Sequence, residues 1–91
     1  MNSRKELAQV AQSLRDIRND ELMASGVTLV DPATAYIGPD VTIGQDTVIH
    51  PNVYLEGRTT IGARCEIQCG VRIVNSTLAD DVFVNSYCVI T

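Results

Sequence analysis

The sequence predicts a mainly β chain, in which one N-terminal α-helix leads into a solenoid of short parallel strands about three coils long. Three observations carry this. A large aliphatic residue returns at every sixth place, at Ile37, Ile43, Ile49, Leu55, Ile61, Ile67 and Ile73. A small residue stands two places before most of them, at Val41, Thr47, Val53, Thr59, Cys65 and Val71. Between these pairs lie the corner-forming triplets GPD, GQD, HPN, EGR, GAR and QCG. Six residues advance an α-helix by about 600°, so such a series would spiral around a helix and could not form one buried stripe. Six is an even number, and alternate residues of a strand share a face. Strand, corner, strand at a fixed short period is the pattern of a polygonal coil stacked on its own copies.

Residues 1–25 follow helix rules. Ser3 and Glu6 form an S-x-x-E capping box, and Leu7, Val10, Leu14 and Ile17 follow at steps of three and four. Gly26 suits a left-handed terminator. Beyond Ile17 the stripe is lost, and Asn19-Asp20 marks a bend or a change of partner surface. Two partners fit the stripe: the core of this chain, or a domain outside it. Residues 26–36 are read as a linker turn, because Asp31-Pro32 breaks a short apolar run. Residues 37–91 form the repeat, incomplete at the C-terminus. Its register slips once, since Leu78 comes five places after Ile73; a shortened corner at Val74-Asn75-Ser76 accommodates this. Val84 and Ile90 then resume the step, with Val82 and Cys88 as small companions.

Composition narrows the function classes. The chain has 91 residues, a formal charge of −4 and 45% hydrophobic residues, which suits one small folded domain and disfavours disorder. Arg58, Arg64 and Arg72 are scattered among acids, which argues against nucleic acid as partner. No run is apolar enough to span a bilayer and no secretion signal is legible, so the expected compartment is cytoplasmic. Cys65, Cys69 and Cys88 are an odd set without a C-x-x-C pair and read as reduced thiols.

The hexad Ile43-Gly44-Gln45-Asp46-Thr47-Val48 fits [LIV]-G-x-x-[STV]-x and resembles the hexapeptide-repeat acyltransferases, which implies a left-handed parallel β-helix. The order of parts, NSRKELAQV and then ELMASGVTLVDPATAYIGPDVTIGQDTVIHPNVYLEG, resembles the junction of the bacterial bifunctional N-acetylglucosamine-1-phosphate uridylyltransferase/glucosamine-1-phosphate acetyltransferase. That resemblance implies an upstream nucleotidyltransferase domain, a homotrimer built through β-helix faces, and a product, UDP-N-acetylglucosamine, used for peptidoglycan and lipopolysaccharide. Magnesium and acetyl-coenzyme A are implied for the full-length family and no cofactor for this chain. It also sets Asn2 at the place where the family supplies an asparagine to the metal. No catalytic or cofactor-binding residue transfers, so the segment is expected to be architectural and inactive alone.

The remaining polar residues read as structural. His50, in the corner His50-Pro51-Asn52, is the only histidine and is read as facing away from the coil interior, where it has no partner set for general-base or zinc chemistry. Asp80-Asp81 read as solvated turn residues, and Tyr36, Tyr54 and Tyr87 as scattered outward or edge positions. Two other readings stay open: an assembly β-helix of a sugar-1-phosphate nucleotidyltransferase without acetyltransferase activity, and a stand-alone binding scaffold.

Overall fold

A computed structural model describes residues 3–91. Helix α1 spans Arg4–Ala24, and Ser3 Oγ accepts a hydrogen bond from the Glu6 amide at 3.2 Å, closing its first turn. The helix is continuous through Asn19-Asp20 and ends where Ser25 donates back to Glu21 and Leu22 and Gly26 turns to φ +100°. Strands β1 (Thr28–Leu29), β2 (Ala35–Ile37), β3 (Thr42–Ile43), β4 (Val48–Ile49), β5 (Val53–Glu56), β6 (Thr60–Ile61), β7 (Glu66–Ile67), β8 (Arg72–Val74), β9 (Thr77–Leu78), β10 (Phe83–Val84) and β11 (Val89–Ile90) follow.

The strands form three parallel walls, β1-β4-β7-β10, β2-β5-β8-β11 and β3-β6-β9. Every third strand pairs, so each turn of chain contributes one strand to each wall. The result is a hexapeptide-type parallel β-helix of about four turns. That exceeds the expected three, in part because counting from Ile37 leaves out β1. The stretch 26–36, read above as a linker turn, supplies β1 and the start of β2: Thr28 pairs with Val48 and Leu29 with Ile49. A 3-10 turn at Pro32–Thr34 lengthens this first coil, which is why the hexad spacing does not reveal it.

The register shows the same effect at the later slip. Tyr36 pairs with Tyr54 and Thr42 with Thr60, eighteen residues apart, whereas Thr60 pairs with Thr77, seventeen apart. The missing residue falls at Asn75, which adopts φ +49° and whose Oδ1 accepts from the Arg58 amide at 2.9 Å. A side chain thus stands in for the lost backbone group.

The hexad residues line the inside of the tube. Ile49, Leu55, Ile61, Ile67 and Ile73 are fully buried, with Val41, Val53, Cys65 and Val71 between them. Burying each such isoleucine or leucine contributes about 1.5–3 kcal/mol. Two interior places are polar, and both are satisfied. Thr47 Oγ1 donates to Gly62 O at 2.7 Å and accepts from Cys65 N at 3.1 Å, and Thr59 Oγ1 donates to Glu56 O at 2.8 Å. Glycine is required at Gly44, where an added Cβ would lie 2.5 Å from the Ala63 amide nitrogen of the next coil.

Candidate functional site

Along the walls, amides of one coil donate to carbonyls of the next: Thr28 N to Thr47 O, Thr42 N to Thr59 O, Val48 N to Cys65 O and Tyr54 N to Val71 O, at 2.9–3.0 Å. Carbonyls of the first coil therefore have no preceding coil to serve them, and an unpaired buried carbonyl is costly. Helix α1 supplies the donors. Asn19 Nδ2 donates to Pro32 O at 2.9 Å and Ala35 O at 3.3 Å, and Arg18 Nη2 donates to Val41 O. Ala35 and Val41 hold the same hexad position as Val53, Thr59, Cys65 and Val71. Leu22 and Val27 close the apolar end below them. The carboxy-terminal half of α1 is thus an end cap that takes the place of a missing coil.

The other half of the helix is uncovered. Leu7, Val10, Leu14 and Ile17 are 57–63% exposed, so the core of this chain is not their partner. Between α1 and the β2-β5 wall lies a groove of about 570 Å³, lined by Leu14, Arg15, Arg18, Tyr36, Pro39 and Leu55. Arg15 lies 4.9 Å above the Tyr36 ring, and Tyr36 stacks on Tyr54 with centroids 4.6 Å apart. Two tyrosines that looked scattered in the sequence therefore form one column, brought together by the eighteen-residue coil. Tyr87 stands apart and is 76% exposed.

The remaining candidates are dispersed. Asn2 lies outside the described residues. His50 Nε2 meets Glu66 Oε1 at 3.1 Å, and the His50 side chain is 27% exposed, half-sheltered on the wall. Asp80 Oδ1 accepts from the Ala63 amide at 2.8 Å, and Asp81 accepts from Arg64 Nε at 2.9 Å. The hydrogen bond from Arg64 holds the Asp81 carboxyl below its ordinary range, and the same bond raises the Arg64 guanidinium. These carboxylates tie adjacent coils at a corner. All three cysteines are free, Cys65 buried and Cys69 and Cys88 half-buried. Among the described residues no group of three His, Cys, Asp or Glu side chains could hold a metal ion. Among them, too, no helix is long and apolar enough to cross a membrane.

A stacked tube of hexads under a polar helical cap defines a hexapeptide-repeat protein, and residues 40–75 match the bacterial transferase hexapeptide (six repeats) family. The more particular relationship comes from whole-chain likeness. The chain is 50% identical over 90 residues to the bifunctional protein GlmU of Thermodesulfovibrio yellowstonii, covering 99% of this chain and 20% of that protein. It is 50% identical over 86 residues to GlmU of Clostridium botulinum, covering 94% and 19%, and 46% identical over 82 residues to GlmU of Thermotoga petrophila, covering 90% and 18%. The chain spans about a fifth of the length of the curated relatives it matches.

Proposed function

We propose that this segment is the joint of a bifunctional GlmU-type enzyme, holding a uridylyltransferase domain and an acetyltransferase β-helix at a fixed spacing. The observation that carries it is the two-faced helix. Its second half is bound to the first coil through Arg18, Asn19 and Leu22, whereas its first half presents four apolar residues to solvent. A rigid helix anchored at one end transmits orientation to whatever covers the other, and the occupant consistent with the relatives is the upstream nucleotidyltransferase domain. The assembled enzyme is a cytoplasmic homotrimer that makes UDP-N-acetylglucosamine with magnesium and acetyl-coenzyme A.

Acetyl transfer to an amine needs a group to take the amine proton and donors for the developing oxyanion. Most side-chain hydrogen bonds among the described residues tie coil to coil or helix to coil, which supports an architectural role. The 91-residue chain is therefore expected to release no coenzyme A from acetyl-coenzyme A in the presence of glucosamine-1-phosphate. Sustained release in a thiol-detection assay would place acetyl transfer within this segment and refute the architectural reading.

A further inference from the structure

The groove between α1 and the β2-β5 wall differs in charge from the rest of the molecule. In a chain of formal charge −4, two of its seven basic residues, Arg15 and Arg18, sit on the helical lip of this one groove. The acid that lines it is Glu56, whose Oε2 already accepts from Arg72 Nη2 at 2.8 Å. Among the described residues no ion pair involves Arg15. It lies instead over the Tyr36 ring, and a guanidinium held by a ring face keeps its charge and its N–H donors for another partner. Arg18 is only partly engaged: Nη2 donates to Val41 O, Nη1 is 3.8 Å from Glu21, and Nε is buried without a partner.

The shape sets the size of an occupant. At Arg18 the helix is tied to the first coil, so the groove closes there, whereas at Ala11, which is exposed, it opens to solvent. The lip between them is about 10 Å long at about 1.5 Å per helical residue. A volume of about 570 Å³ lies within the range of small-molecule pockets, about 300–1,000 Å³. Leu14 on the helix and Tyr36, Pro39 and Leu55 on the wall make its sides apolar. A peptide strand or helix would need an exit at both ends.

We infer that this groove binds a small soluble organic acid: an apolar ring system or short chain lying on Leu14, Pro39 and Leu55, with one carboxylate, sulfonate or phosphate head paired to Arg15. The head supplies Arg15 with the charge-assisted hydrogen bonds that no carboxylate of the chain provides. A neutral apolar occupant would shield the guanidinium from water and leave it unpartnered, which is costly, and a cation would be repelled. The bound acid touches both α1 and the wall, so it favours the seated helix and stabilises the chain by mass action. Such binding is separate from the joint role of α1 and does not depend on what covers Leu7, Val10 and Ile17.

Two dyes with the same rings test this, anilinonaphthalene sulfonate and the uncharged phenylnaphthylamine, titrated into the isotope-labelled 91-residue chain. The sulfonate is expected to bind more tightly, with nuclear magnetic resonance shifts concentrated at Leu14, Tyr36 and Leu55. Arg15→Gln, with circular dichroism matching the parent, is expected to weaken the sulfonate about tenfold and leave the amine unchanged. Arg64→Gln, at the corner between β6 and β7, should alter neither. Equal affinity for the two dyes, or an undiminished sulfonate affinity in Arg15→Gln, would overturn the pairing of the head group with Arg15. Shifts confined to Leu7, Val10 and Ile17, or to Val84 and Ile90 in the last coil, would place the dye on other apolar surface and overturn the site. Absence of binding at millimolar dye would overturn it as well, and all of these results leave the joint role of α1 standing.

Discussion

Thr47 shows how a single interior position is decided by hydrogen bonding as much as by size. Its hydroxyl joins two coils, through Gly62 O and the Cys65 amide. Thr47→Val keeps the volume and leaves both backbone groups unpaired, so it is expected to cost about 1–3 kcal/mol in urea unfolding. Thr42→Val, on the exposed wall, should stay within about 0.5 kcal/mol. The corner pair of Arg64 and Asp81 behaves differently because both side chains are more than half exposed. The Asp81 carboxyl is lowered from 3.8 by Arg64. Its contribution is therefore present above that value and lost as pH falls through the lower folded value. Asp81→Asn should be slightly less stable than the parent at neutral pH and converge with it in acid, as followed by thermal melts across pH. The small-residue places were legible in the sequence, since a narrow tube admits little else. The hydroxyl partners of Thr47 were not, because they lie 15 and 18 residues away and meet it only once the coils stack.

At the level of elements, α1 carries two sequence signals that the fold uses in opposite ways. The visible stripe of Leu7, Val10, Leu14 and Ile17 faces solvent, while the anchoring residues Arg18, Asn19 and Leu22 obey no apolar period. Asn19, which looked like a bend, is 1% exposed and serves carbonyls of the first coil. Leu22→Ala is expected to cost about 2–5 kcal/mol, by opening a cavity at the end of the core. Ile17→Asp should change the stability of this chain by no more than about 0.5 kcal/mol. Urea unfolding followed by circular dichroism checks both, and a large loss from Ile17→Asp would show that the stripe is covered within the chain after all. The cap was hidden in the sequence for a physical reason. A solenoid end needs donors for its free carbonyls as well as apolar cover, and a lone asparagine in a helix gives no periodic signal. Strand β1 was hidden likewise, because the Pro32–Thr34 turn displaces it from the hexad count.

For the molecule as a whole, stacking makes stability a matter of neighbours, since each coil touches only the coils on either side. The middle coils bury their isoleucines fully, whereas Val82, Cys88 and Ile90 are only partly buried. Amides of β5, β6 and β8 are therefore expected to exchange with deuterium more slowly than those of β10 and β11, and uniform protection would argue for a single cooperative unit instead. The six-residue period by itself determined the architecture: an even repeat of large and small apolar residues between corners can be buried only inside stacked strands, whatever the partners. Tertiary structure alone decided which face of the helix is anchored, how the first coil is closed, and which side chains from distant hexads share a wall. Those outcomes depend on coil length, and one inserted or deleted corner residue changes which positions stand above one another while leaving the period intact.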